Sequence, residues 1–148
     1  MKRFLLFVSM LFISLGVFAQ YVDLGLPSGT KWKSFNEPDF YSYGEAISKF
    51  ADQLPTYDQL GELYSVCDWI WLGSAYKVIG PNGNFIKFPA AGYRDCNGSV
   101  GRVGSGGYYW SSTPYGSEDA YYLGFGSGGV GMYKYYRCYG LSVRLVQD

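Results

Sequence analysis

The last third of the chain, Gly106 to Val146, permits few folds. Apolar residues recur there at strand spacing: Trp110; Tyr121, Leu123 and Phe125; Val130 and Met132; Leu141, Val143 and Leu145. Side chains alternate across a strand, so each set can line one face of a sheet. Tyr and Gly fill the positions between, with seven Tyr and seven Gly in the 26 residues from Tyr115 to Gly140. Gly has no side chain to bury and weakens a strand interior. The pattern predicts a sheet with one face on a core and a Tyr/Gly face turned outward, a scaffold carrying a display surface. Such a chain suits binding better than catalysis, and the pattern names no ligand.

The first residues have the form of a secretory leader. Lys2 and Arg3 precede an apolar run from Phe4 to Phe18, and Val17-Phe18-Ala19 offers the small or modest residues that a signal peptidase reads. Cleavage is expected before Gln20. An uncleaved anchor is the alternative, but the run is shorter than the roughly 20 residues a spanning helix needs. The first Cys is Cys67, so no lipid-anchor Cys follows the run. The expectation is a signal peptide over 1–19 and one domain over 20–148, secreted, periplasmic or on the cell surface of a Gram-negative bacterium, with no membrane span in the mature chain. Lys+Arg and Asp+Glu balance at 12 each, and loss of Lys2 and Arg3 leaves the mature chain slightly acidic. With no basic cluster, nucleic acid and anionic membrane surfaces are poor partners. Cys67, Cys96 and Cys138 fit no zinc or CxxC spacing. In an exported chain two can pair in any of three ways, and three buried, reduced thiols are the alternative.

Taken in order, Val22, Leu24 and Leu26 have strand spacing, Pro27-Ser28-Gly29 is turn chemistry, and Lys31-Trp32-Lys33 suits a second short strand with Trp32 inward. Phe40 to Ala51 reads as a helix capped by Asp39, with Phe40, Tyr43, Ile47 and Phe50 near one face. Thr56 and Gln59 form a capping box opening a second helix with Leu60, Leu63, Tyr64 and Cys67 on one face, ending near Asp68. Trp69 and Trp71 then alternate with Ile70 and Leu72. Ala75 to Pro89 reads as a hairpin turning at Asn82-Gly83. Ala90 to Gly107 reads as a long irregular loop, and such loops are usually functional or mobile. Helices preceding a strand-rich half predict an α+β class.

Four stretches carry a family resemblance: YVDLGLPSGTKW, LPTYDQLGELYSVCDW, YKVIGPNGNFIKFPAAGYR and YWSSTP…AYYLGF…RCYGLSVRLV. They resemble, in order and over nearly the whole mature chain, the Fibrobacter succinogenes major paralogous domain family, exported proteins of gut Bacteroidetes and relatives. That family resembles the C-type lectin-like fold, which implies two helices, a small antiparallel sheet and long irregular loops. The fold does not imply one activity. Calcium-dependent lectins of this fold usually carry Glu-Pro-Asn or Gln-Pro-Asp with Trp-Asn-Asp, and none occurs here. Glu37-Pro38-Asp39 is nearest, in the wrong half of the chain, so no calcium site is expected. Nothing matches the active-site Cys spacing of the formylglycine-generating relatives.

The chain is also similar to variable proteins of diversity-generating retroelements, in which randomised asparagine-type codons yield Tyr, Ser, Asp, Gly and Asn. Tyr115, Gly116, Ser117, Asp119, Tyr122, Gly124, Gly126, Gly129, Gly131, Tyr133, Tyr135, Tyr136 and Tyr139 belong to that set, while Glu118 and Lys134 fit it poorly. The alternative is an ordinary Tyr/Gly-rich paralogue.

The chain has no His, which removes the commonest general base and the usual zinc sites. Glu118 and Asp119 are adjacent, and neighbours on a strand face opposite ways, so they are poorly placed to flank one bond. Gly104-Ser105-Gly106-Gly107 lacks the Lys and helix of a phosphate loop. The expected function is a ligand-binding module, not an enzyme, with no metal or cofactor, recognising an extracellular protein or glycan through Tyr115, Ser117, Asp119, Tyr122, Gly124, Gly126, Tyr133, Tyr135, Tyr136 and Tyr139. A carboxylate-based polysaccharide hydrolase and a structural or adhesin-like surface subunit are the alternatives. The ten residues are expected on one surface, with a bulge or turn near Gly128-Gly129 resetting the strand phase. On this view Ser at Tyr122, Tyr133, Tyr135 and Tyr136 leaves the fold intact. The core expectation packs Trp110, Leu123, Phe125, Val143 and Leu145 on the Leu60/Leu63 helix face.

Overall fold

A computed structural model describes residues 20–148; the leader expected over 1–19 lies outside the described residues. The chain is α+β. In order it forms β1 (Tyr21–Val22), β2 (Lys31–Lys33), α1 (Tyr43–Phe50), a 3-10 turn (Ala51–Gln53), α2 (Tyr57–Val66), β3 (Asp68–Trp71), β4 (Ala75–Ile79), β5 (Phe85–Pro89), β6 (Tyr93–Arg94), β7 (Val100–Gly101), β8 (Gly107–Tyr115), β9 (Asp119–Gly126), β10 (Gly129–Tyr136) and β11 (Val146–Gln147). No described helix is long and apolar enough to cross a membrane.

All the strand ladders are antiparallel. β2 lies between β1 and β11, which brings the first and last described strands together through the fully buried Trp32. β3-β4-β5 is a meander whose inner face, Tyr76, Val78, Ile86 and Phe88, is buried, while Ile70, Leu72 and Phe85 stay exposed. Its hairpin turns at Asn82-Gly83 as expected, with Gly83 at a φ of 89° that a side chain would resist. β8-β9-β10 is the main sheet.

α2 starts as expected: Thr56 Oγ1 accepts from the Gln59 N–H and Gln59 Oε1 from the Thr56 N–H. α1 does not. Its cap is Ser42 in a capping box with Glu45, and Asp39 sits at φ 76°, outside the helix. Tyr41 is held extended by a bridge to Leu141, so the helix cannot begin earlier. Its buried residues are Tyr43, Ala46 and Phe50; Ile47 is exposed.

The core divides in two. Leu60, Leu63, Leu123 and Phe125 share one cluster with Trp32, Val78 and Phe88. Trp110, Val143 and Leu145 belong to a second, with Tyr43, Ala46 and Phe50 of α1. The expected single packing on α2 therefore holds for Leu123 and Phe125 only. Trp110 and Leu123 lie on opposite faces of the β8-β9 ladder, since Trp110 pairs with Tyr122 and Tyr109 with Leu123. That sheet is the partition between the two clusters.

Ala90 to Gly107 is not an irregular loop. β6 pairs with β7, and Asp95 Oδ1 accepts from the N–H groups of Asn97 and Ser99 to close the turn between them. Backbone bonds join Arg94 to Gly140 in both directions, and a disulfide links Cys96 to Cys138. Cys67 is the free, buried thiol. Asn97-Gly98, with Gly98 at a φ of 92°, is the short-range hairpin signal within this stretch, and the contacts with Cys138 and Gly140 fix the ribbon in place.

Candidate functional site

The β9-β10 ladder is regular from Gly126↔Gly129 to Tyr136↔Asp119, joined by the two residues Ser127-Gly128. There is no bulge; the turn itself resets the phase, so that even-numbered residues of β9 share a face with odd-numbered residues of β10. The irregularity lies in the β8-β9 ladder instead, between Trp110 and Pro114. Register then decides which predicted residues meet. Tyr122, Gly124, Gly126, Tyr133 and Tyr135 share one face, joined by Tyr108 and Trp110 of β8. Asp119 and Tyr136 face the other way, with Tyr115 opposite Asp119. Ser117 lies in the exposed turn between β8 and β9 and lines a separate shallow depression with Glu118, Tyr136, Arg137 and Cys138. The ten residues thus form two surfaces. Tyr135 and Tyr136 are consecutive in a strand, and consecutive side chains point to opposite faces.

On the first face five tyrosines close a ring of aromatic contacts. Tyr122 stacks toward Tyr135 (centroids 6.0 Å), Tyr135 on Tyr139 (4.1 Å), Tyr139 against Tyr93 (5.8 Å), Tyr93 edge-on to Tyr108 (5.4 Å), and Tyr108 against Tyr122 (6.0 Å). Four of these separations lie in the range where aromatic pairs attract, roughly 4.5–7 Å, and the Tyr135–Tyr139 stack is tighter. Tyr139 adds to the face from outside β10. The Arg94–Gly140 bridges and the Cys96–Cys138 bond hold Tyr93 and Tyr139 together.

Two glycines of this face, Gly124 and Gly131, are overlain by neighbouring rings. Gly124 pairs with both Tyr108 and Gly131 across the sheet. A Cβ on Gly124 would lie 2.8 Å from the Tyr122 ring and 3.2 Å from the Tyr133 ring. A Cβ on Gly131 would lie 2.7 Å from the Tyr133 hydroxyl. The rings lean over the glycines, and that is why Tyr122 is only 8% exposed. Tyr122 is core, against the expectation that Ser there leaves the fold intact.

One cavity of about 210 Å³ remains beside the ring. Gly124, Gly126 and Gly129 floor it, Tyr108, Tyr122 and Tyr133 wall it, and Arg102 closes it from the β7-β8 connection. Tyr133, 54% exposed, stands at its mouth. Burial pushes the Tyr122 hydroxyl up to about 12, helped by Tyr108 and Tyr133. Burial also raises Tyr108, against the pull of Arg102. Tyr135 is pushed up to about 12 by its pairing with the Tyr139 hydroxyl and by burial. These hydroxyls therefore stay protonated at neutral pH, and Arg102 is the one charged side chain in the lining. The cavity can stack a flat or ring-shaped group, hydrogen-bond it, and attract negative charge.

Arg102, Tyr93 and Tyr108 were absent from the sequence-derived site. Tyr93 and Arg102 lie in the stretch expected to be a loop, and loop residues held by a rigid scaffold often carry binding. Of the two carboxylates weighed for hydrolysis, Asp119 lies 3.9 Å from the Lys134 ammonium and Glu118 is exposed in the β8-β9 turn. Elsewhere Glu37 pairs with Lys33 at 2.7 Å and Glu45 caps α1. Among the described residues no three His, Cys, Asp or Glu side chains gather as a metal site.

No curated protein and no solved structure matches the chain. A family model does, over residues 68–146, which takes in the meander, the β6-β7 ribbon and all three strands of the main sheet. That is just over half of the chain, and on it this protein belongs to the family described as Domain of unknown function (DUF8237).

Proposed function

We propose that this chain is an exported, non-enzymatic ligand-binding module that captures an extracellular protein or glycan, without metal or cofactor, in the tyrosine-walled cavity of its main sheet. The observation that carries this reading is the cavity itself: a glycine floor, three tyrosine walls and one arginine, with Tyr133 half-exposed at the mouth. Tyr gives large contact area with few rotatable bonds and a hydrogen-bonding tip, the reason paratopes favour it. The proposal includes a C-type lectin-like fold of the Fibrobacter paralogous kind. It is supported by the two helices, the antiparallel sheets and the pairing of the first and last described strands through β2.

The test is capture of ligands from glycan and surface-protein arrays by wild type, Tyr133→Ser and Arg102→Gln. Both positions are exposed, so the variants keep the melting temperature of wild type while capture falls at least roughly tenfold, the scale of one lost anchor contact. Capture that survives both substitutions sinks the reading. The proposal extends to retroelement diversification, supported by the exposed Tyr/Gly/Ser positions at the β8-β9 turn and on β10. A reverse transcriptase gene and a near-copy of the last codons beside this gene are then expected, and their absence removes that extension alone. Export predicts a mature N-terminus at Gln20 by intact mass.

A further inference from the structure

A second feature lies away from the tyrosine face. Arg144 is buried to 1% exposure, and no carboxylate pairs with it among the described residues. Neutral acceptors hold its guanidinium: Nε donates to Asn36 Oδ1 at 2.9 Å, Nη1 to the Lys33 and Ser34 carbonyls, and Nη2 to the Lys87 carbonyl. It also lies 4.4 Å over the Phe88 ring. A guanidinium carries five N–H donors. Four are used, so one Nη2 hydrogen has no protein acceptor among the described residues. Burial lowers Arg144 to about 10, which leaves it a cation at neutral pH. A buried cation without a counter-ion is held at high free energy, and an anion that reaches it recovers part of that.

A cavity of about 400 Å³ opens beside Arg144, within the size range of small-molecule sites. Its walls are mainly Val22, Phe35, Phe85, Ile86 and Pro89, and its charged lining is Arg144 and Lys87, with no acid. Phe35 is 76% exposed and Phe85 47%, two aromatic rings left facing water at one apolar mouth. Apolar walls select a hydrocarbon or aromatic body, and two cations with no acid select negative charge. We infer that this cavity binds a small organic carboxylate with an apolar body, its carboxylate on Arg144 and Lys87 and its body between Phe35 and Phe85. The inference does not depend on the tyrosine cavity.

The experiment titrates the 20–148 chain with decanoate, decanol and decylammonium by calorimetry, and maps decanoate by NMR shifts. Decanoate should bind saturably and at least roughly tenfold tighter than decanol, the scale of one charge-assisted hydrogen bond. Decylammonium should not bind. Lys87→Gln, at an exposed position, should weaken decanoate and leave decanol unchanged. Phe35→Ser with Phe85→Ser should weaken both. Tyr133→Ser, in the separate tyrosine cavity, should lower array capture and leave the decanoate affinity as in wild type. Equal affinity for decanoate and decanol overturns the inference and makes Arg144 a purely structural tie. So does an absence of shifts in 34–36 and 85–87, or loss of decanoate binding in Tyr133→Ser.

Discussion

Tyr122 and Tyr133 are cross-strand partners in one site, yet their substitutions should differ sharply. Tyr122 is buried among Tyr108, Trp110, Tyr133 and Tyr135. Tyr122→Ser should cost about 3–5 kcal/mol, the range for emptying a buried aromatic site. Tyr133→Ser should cost less than about 0.5 kcal/mol, as for exposed positions. Leu123→Ala, at 0% exposure, should cost roughly 2–5 kcal/mol. Urea melts of the three variants check all of this, and a large loss for Tyr133 would mean the cavity wall is core. The same burial sets an alkaline limit. Tyr109, Tyr122 and Tyr135 are each raised from the ordinary 10 to about 12, and Cys67 from 9 to about 11. A raised folded pKa means that the folded state holds its proton longer than the unfolded chain. The linked stability is complete below pH 9 and is lost as pH rises from there to about 12. Ultraviolet titration should show a late-ionising tyrosine class in the folded protein, and the melting temperature should fall across that window. A single class titrating at the ordinary value would contradict it.

At the scale of elements, the short-range signals worked where bonding partners are near in sequence. The box at Thr56/Gln59, the Asn82-Gly83 turn and the burial of Trp32 in a three-residue strand were all legible. The start of α1 was misread, although Ser42 and Glu45 spell the same box, because an apolar period running from Phe40 outweighed it. The β6-β7 ribbon was missed although Asn97-Gly98 spells its turn, because its strands are only two residues long, and its docking depends on Gly140 and Cys138. That ribbon gives an element-scale prediction. The Cys96–Cys138 link closes a separation of 42 residues, so replacing both Cys with Ser should lower stability by roughly 3–4 kcal/mol in the chain-entropy account. It should also loosen Tyr93 and Tyr139 and weaken array capture more than Thr56→Ala does, which removes a distant cap. Hydrogen exchange over 93–101 checks the loosening, and unchanged protection there would refute it.

For the whole molecule, the β1-β2-β11 sheet makes the last residues structural. Val146 is buried on β2, and Asp148 Oδ1 accepts from Thr30 and Gln59. Deleting 146–148 should remove roughly 3 kcal/mol or more, one buried aliphatic side chain plus its lost hydrogen bonds. A deletion that melts like wild type would show that this sheet is dispensable. Composition and periodicity by themselves determined the α+β class, the Asn82-Gly83 hairpin, the second helix and most of the buried apolar residues, because those depend on turn chemistry and on spacing of two or of three to four residues along the chain. They also marked the C-terminal Tyr/Gly strands as unusual. Only the tertiary structure decided that these tyrosines divide between two faces, that glycines 124 and 131 receive neighbouring rings, and that Arg102, Tyr93 and Tyr108 complete the cavity. Periodicity tells which residues share a side of one strand. It cannot tell what covers that side, because cover comes from register between strands and from segments that a disulfide and a pair of backbone bonds bring back from far along the chain.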